Sequence, residues 1–114
     1  MPAHARISGS AIEWSPPSTI GIVGDGPVFL SIDVDVLDPA FAPGTGTPEP
    51  GGLTSSELLW AVRTTAAGLE VVGADVVEVL PTAVGSADVT ALVAERIVRE
   101  LMTGIALRRR LAGE

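Results

Sequence analysis

Apolar positions along the chain gather into four patterned stretches, separated by segments dense in proline and glycine. The first, Val28-Phe29-Leu30-Ser31-Ile32-Asp33-Val34-Asp35, is short, rich in β-formers and flanked by turn residues. A run of this kind predicts a buried strand of a parallel sheet. In the second stretch Thr54-Ser55-Ser56-Glu57 reads as a capping box, and Leu58, Ala61, Val62, Ala66 and Leu69 follow at helical spacing. That pattern predicts a helix with one apolar face, for which Gly68 and Gly73 are candidate stops. Val71 to Leu80 forms the second predicted strand, closed by Pro81. After a turn with Gly85 and Ser86, a last helix is expected from Asp88 to Arg110. Val89, Leu92, Val93, Ile97, Leu101 and Ile105 make its apolar face. Its terminal arginines suit the negative end of the helix dipole.

The order strand, loop, helix, strand, helix is a βαβα unit of the α/β class, and such connections give parallel strands with a right-handed crossover. Two or three parallel strands would leave apolar sheet edges unpaired, so the unit reads as part of a larger sheet. The organised part spans residues 28–114. Residues 1–27 keep no helical or strand period and are punctuated by Pro16-Pro17 and by glycines at 21, 24 and 26. They are expected to be a poorly patterned N-terminal lead-in, with Ile12-Glu13-Trp14 as a candidate short edge strand.

Composition narrows the chemistry. The 114 residues carry seven basic side chains, all arginine, against fourteen acidic ones, for a net charge of −7. Without lysine there is neither a Schiff base nor a P-loop phosphate cradle. Without cysteine there is no thiol nucleophile, disulfide or thiolate zinc site. A Ser-His-Asp triad would have to recruit His4, the single histidine, from the extreme terminus. Nucleic-acid binding needs clustered positive charge, and only Arg108-Arg109-Arg110 offers any. A 46% hydrophobic share suffices for a core. No apolar run reaches the roughly 18 residues of a membrane span, and no apolar signal core follows the N-terminus. A cytoplasmic protein with no membrane or nucleic-acid partner is therefore the expectation.

Carboxylates are left to carry the chemistry, and Asp33 and Asp35 lead. On a strand, residues i and i+2 share a face, so this pair is expected to converge where the first strand meets the loop. Ligands of open α/β sheets sit beyond the strands' carboxyl ends. Two such close carboxylates repel unless a proton or cation intervenes, and a divalent cation is the natural partner. Turn capping is the plainer role for an isolated Asp-x-Asp, and Asp38 is expected to cap beside Pro39. The following segment, Asp38 to Gly52, holds four prolines and four glycines in fifteen residues. Fixed φ at proline makes such a loop stiff rather than floppy, and long loops in compact domains are usually functional.

Here the chain resembles the arginase/agmatinase (ureohydrolase) family. The family signature of Ser, apolar, Asp, apolar, Asp, then spaced Pro, Pro-Gly and Gly is filled by Ser31-Ile32-Asp33-Val34-Asp35, Pro39, Pro43-Gly44 and Gly52. Thr45 to Gly52 is similar to the agmatinase branch in particular. Over residues 24–107 the resemblance implies a three-layer αβα fold with a parallel sheet, of which this chain is a partial βαβα unit. It implies a binuclear Mn²⁺ site with Asp33 and Asp35 as metal ligands. It also implies hydrolysis of a guanidino compound, such as agmatine, to amine and urea by a metal-activated water, with no other catalytic group in this chain. A glutamate in the motif Val-Glu-Val-x-Pro holds the guanidinium in the family, which carries over to Glu78. Its bland alternative is a solvated strand-end charge.

The family's remaining ligands lie upstream, in Gly-Gly-Asp-His and Asp-Ala-His-x-Asp motifs that do not occur here. Residues 1–23 show no resemblance. The chain therefore looks like the C-terminal portion of a ureohydrolase, expected to be inactive alone and a homo-oligomer in full-length form. After Pro81 it reads Thr82-Ala83-Val84-Gly85-Ser86 where many agmatinases have an aromatic residue and an aspartate, which leaves guanidinobutyrate open beside agmatine. Glu49 is either a rim residue of the site or a solvated loop charge. Trp60 is expected to pack, and His4 to have no role. Two other readings stay on the table: a silent fragment that associates with a partner, and a haloacid-dehalogenase-type phosphatase, which lacks its lysine here.

Overall fold

The computed structural model describes residues 3–7, 21–80 and 87–114. Three parallel strands lie in the order β1 (Ala3–Ile7), β2 (Pro27–Asp33) and β3 (Glu70–Val77), with β2 in the middle. A 3-10 turn, Val34–Val36, follows β2 directly. Helix α1 (Ser55–Gly68) connects β2 to β3, and helix α2 (Ala87–Leu111) follows β3. Elements β2, α1, β3 and α2 form the expected βαβα unit, with β1 added beside β2.

Alternation in β2 explains the core. Val28, Leu30 and Ile32 are buried, and Leu30 and Ile32 join one apolar cluster with Leu58, Val62 and Ala66 of α1 and Val93, Ile97 and Leu101 of α2. The capping box opens α1 as its residues demand: the Thr54 hydroxyl accepts the Glu57 N–H and the Glu57 carboxylate accepts the Thr54 N–H, both at 3.1 Å. Every expected position of the α1 face is buried. Leu69 alone joins α1 to β3, adopting extended backbone while its N–H still bonds Thr65.

Five expectations need correction. The lead-in is not featureless, because Ala3–Ile7 pairs in parallel with β2 from Ala3 opposite Val28 to Ile7 opposite Ile32. Its five residues carry little pattern of their own, and pairing with a neighbour decides the conformation. His4 thereby belongs to a strand, opposite Phe29. The candidate strand Ile12-Glu13-Trp14 lies outside the described residues.

The second strand stops at Val77 rather than Leu80, because Glu78 turns to a positive φ of 70°. Gly73 is no stop; it lies inside β3, where a Cβ would sit 3.0 Å from the Phe29 ring.

The buried stripe of α2 keeps Val93, Ile97, Leu101 and Ile105 of the expected apolar face but not its first two members. Val89 and Leu92 are 50% and 68% exposed, whereas Thr90, Val93, Ile97, Glu100 and Leu101 face inward. Two polar residues hold inner positions because other elements supply their partners: Gly44 for Thr90, Arg63 and the helix's own Arg96 for Glu100. Gly104 completes the stripe. A Cβ there would lie 2.6 Å from Ala66 Cβ and 2.8 Å from the Arg63 carbonyl oxygen, so glycine lets the helices meet closely.

Lastly, Trp60 does not pack in the core; it is 59% exposed on α1.

Candidate metal and guanidinium site

The carboxyl end of β2 delivers Asp33 into the interior, 5% exposed, and Asp33 caps the 3-10 turn that follows. Its carboxylate accepts the N–H of Asp35 at 3.0 Å. The two aspartates therefore meet as expected, but not as neighbours on one strand face. Asp35 lies in the 3-10 turn, pinned on either side by buried Val34 and Val36. The Thr47 hydroxyl donates to Asp35 Oδ2 at 3.2 Å.

Burial, first of all, pushes the Asp33 carboxyl above the ordinary aspartate range. The Asp35 N–H opposes this, while the nearby Asp35 and Glu78 carboxylates add to it. Glu78 thus acts electrostatically on Asp33. Register explains how: Asp33 stands opposite Val77, and Glu78 is the next residue along. Exposed, with a left-handed backbone that costs a side-chain-bearing residue energy, Glu78 is held where the sheet ends.

The loop between Asp38 and Gly52 is closed at its neck. Asp38 N–H bonds the Leu53 carbonyl and Leu53 N–H the Val36 carbonyl, each at 2.9 Å. Asp38 does cap, as expected: its carboxylate accepts the N–H groups of Ala40 and Gly51, both at 2.9 Å. Those bonds hold its carboxyl below the ordinary range. Gly52 must be glycine for this closure, because a Cβ would fall 2.5 Å from the Val36 carbonyl oxygen and 2.6 Å from Asp38 N. Deeper in the loop, the Gly44 N–H donates to the buried Thr90 hydroxyl at 2.7 Å, and the Gly44 carbonyl accepts the Leu80 N–H at 2.8 Å.

Asp35, Val36, Thr47, Glu49, Pro50, Gly51 and Gly52 line a hollow of about 290 Å³. Glu49 is exposed on its wall. A larger cleft of about 470 Å³, walled by Leu69, Val71, Ile105 and Arg108, opens beside the start of β3, away from the carboxylates. Its volume does not make it the reactive site; the chemistry-bearing residues are at the opposite strand end. The segment from Thr82 to Ser86, expected near the substrate, lies outside the described residues.

Asp33 and Asp35 fit a hard divalent cation in donor type and in their mutual repulsion. Among the described residues no group of three or more His, Cys, Asp or Glu side chains is placed to hold a metal ion. Two carboxylates alone would leave most of such a cation's coordination positions to other donors. Sequence reading missed Thr90 and placed Gly44 and Thr47 only within the family-like motifs; their bonding roles appear once the loop is folded. No described helix is long and apolar enough to cross a membrane.

Known proteins resemble the chain in sequence and in fold. The profile of the Arginase family matches residues 10–104, so the likeness reaches upstream of residue 24, into a segment expected to show none. Guanidinopropionase of Pseudomonas aeruginosa is 58% identical over 82 residues, 71% of this chain and 25% of that protein. Agmatinase of Cronobacter sakazakii is 53% identical over 81 residues, 71% of this chain and 26% of the enzyme. The chain spans about a quarter of the length of these relatives. Among solved structures, a hypothetical agmatinase from Burkholderia thailandensis superposes with a TM-score of 0.75 at 44% identity, covering 87% of this chain and 30% of that one. Proclavaminate amidino hydrolase from Streptomyces clavuligerus gives the same score and identity over 82% of this chain and 31% of its own.

Proposed function

The chain belongs to the arginase family, and from that membership we propose that it supplies part of the metal site and the guanidinium anchor of an agmatinase-like ureohydrolase. The reaction is hydrolysis of a linear guanidino compound, such as agmatine, guanidinobutyrate or guanidinopropionate, to an amine and urea. Asp33 and Asp35 are the proposed manganese ligands, with further ligands coming from outside these residues. A bound metal pair supplies Lewis acidity and a water acidic enough to react near neutral pH.

The chain's own residues do the positioning. The Asp35 N–H fixes the Asp33 carboxylate, and the Thr47 hydroxyl fixes that of Asp35. Glu78 accepts charge-assisted hydrogen bonds from the substrate's planar guanidinium and so orients its central carbon toward the metal side. The single observation behind this reading is the meeting of Asp33, Asp35 and Glu78 at one sheet end, Glu78 one residue beyond the register partner of Asp33.

Urea release tests it. Agmatine, guanidinobutyrate, guanidinopropionate and arginine are offered with Mn²⁺ to two proteins. One is the 114-residue chain; the other is a fusion in which this chain replaces the matching stretch of the Pseudomonas guanidinopropionase. The fusion is expected to release urea from at least one compound and the chain alone little or none. A folded, Mn²⁺-loaded fusion that hydrolyses none of the four would refute the assignment.

A further inference from the structure

We infer that Thr90 is a positioning residue, which ties the aspartate-bearing loop to the strand end that carries Glu78 and holds both against α2. The inference rests on the proposed roles of Asp33, Asp35 and Glu78, and extends them to a residue that would touch neither metal nor substrate.

The Gly44 peptide is gripped from two directions. Its N–H donates to Thr90 Oγ1 at 2.7 Å, a buried bond between residues 46 positions apart. Its carbonyl accepts the Leu80 N–H at 2.8 Å. Leu80 comes two residues after Glu78, so this second bond pins the chain just past the left-handed turn at φ 70°. On the other side Gly44 precedes Thr47 by three residues, and Thr47 holds Asp35 Oδ2. One path of bonds therefore runs from α2 through Gly44 to Leu80 beside Glu78. A second runs from Gly44 along the loop to Asp35.

Thr90 suits the task because it is 0% exposed, in the first turn of α2, where its hydroxyl accepts the Gly44 N–H. The fit is close: a Cβ on Gly44 would stand 2.7 Å from Thr90 Oγ1, 2.9 Å from Thr90 Cβ and 3.4 Å from the Leu80 carbonyl oxygen. Losing the hydroxyl would leave a buried N–H without its partner, which folded proteins rarely tolerate. The loop would then lift from α2, freeing Leu80 and Asp35 together. Residues that orient metal ligands from outside the coordination shell typically change metal affinity by about 10–100-fold.

The test uses the full 114-residue chain and three variants, Thr90→Val, Thr90→Ser and Val93→Ala. Thr90→Val keeps the shape and removes the acceptor. Thr90→Ser keeps the hydroxyl. Val93→Ala damages the same buried helix face without touching Gly44. Amide hydrogen exchange is read at Gly44 and Leu80, and Mn²⁺ affinity from paramagnetic broadening of the Asp33 and Asp35 amides. In Thr90→Val both exchange rates should rise about tenfold or more, and the Mn²⁺ dissociation constant should rise about tenfold. Thr90→Ser should restore both, and Val93→Ala should move neither relative to its overall loss of stability. Should Thr90→Val unfold the chain, the Ser and Ala variants still decide, since Mn²⁺ affinity falling equally in both overturns the inference. Faster exchange in Thr90→Val with unchanged Mn²⁺ affinity also overturns it, while leaving the ligand assignment intact. Asp35→Ala is titrated alongside: if it binds Mn²⁺ as well as wild type, the ligand assignment itself has failed and the inference with it.

Discussion

The carboxylate of Asp33 accepts the backbone N–H of Asp35 at 3.0 Å, which folds the second aspartate back over the first. The bond caps the 3-10 turn at the end of the strand and brings a half-buried carboxylate beside the buried one of Asp33. Burial first, and then the neighbouring carboxylates, push the Asp33 carboxyl upward, and a cation there would relieve the crowding.

A folded-state value above the unfolded one means that the folded chain binds this proton more readily, so stability from this group is lost as pH rises through its folded value. At neutral pH, then, Asp33→Asn should raise the melting temperature of the metal-free chain, since the amide oxygen can still accept the Asp35 N–H. The same variant should weaken Mn²⁺ binding. Thermal melts with and without Mn²⁺ check both halves; a variant less stable than wild type without metal would contradict the argument.

Glu78 invites a paired comparison. In the fusion described above, Glu78→Gln keeps the shape but loses the charge that faces a cation. A hydrogen bond to a charged group is worth about 1.5–3 kcal/mol, so kcat/KM should fall by roughly one to two orders of magnitude with metal content unchanged. Glu78→Gly should also lose activity yet raise stability by up to about 1 kcal/mol, because φ of 70° suits glycine. Glu78→Ala should lose activity with no such gain. Urea assays, metal analysis and denaturant melts distinguish these outcomes, and equal stability of the Gly and Ala variants would remove the strain from the account.

How much of this was legible in the residues differs by element. The burial of β2 and the start and inner face of α1 were readable because local periodicity and a four-residue cap determine them. The aspartate pair was readable too, although its convergence comes from a 3-10 turn and not from strand alternation. Ala3–Ile7 was not, since its order comes from pairing with β2. The inner face of α2 was read only in part, because Thr90 and Glu100 look like surface residues until Gly44 and Arg63 are brought to them across 46 and 37 positions. Thr47 meets Asp35 only when the proline-rich loop has closed. Long-range polar contacts leave no periodic trace.

Gly104 sets helix propensity against packing. Alanine is favoured over glycine in a helix by about 0.8–1 kcal/mol, so Gly104→Ala would stabilise an isolated α2. In the protein its Cβ would meet Ala66 Cβ at 2.6 Å and the Arg63 carbonyl oxygen at 2.8 Å. These are not the far ends of flexible side chains, so one helix must shift, which typically costs about 1–3 kcal/mol. A net loss of roughly 0–2 kcal/mol follows. Denaturant unfolding measures it, and a stabilised variant would mean that the helices are not held this closely.

The inner end of the same contact gives a pH dependence of opposite sign to that of Asp33. Burial pushes the Glu100 carboxyl up, but bonds from Arg63 and Arg96 together outweigh it and hold the group below the ordinary glutamate range. A depressed folded value contributes stability that is present above the unfolded value, about 4.3, and is lost as pH falls through the folded one. Both guanidiniums are half-exposed, at 49% and 50%, so solvent screens part of the attraction. Glu100→Gln should therefore cost about 1–2 kcal/mol at neutral pH, less than for a fully buried pair. The deficit should hold constant down to about pH 5 and shrink below it, as wild type loses the same charge. Parallel melts of the two proteins between neutral pH and about pH 3 provide the check. A deficit that stays the same across that range would show that Glu100 contributes through shape and packing, with its charge immaterial.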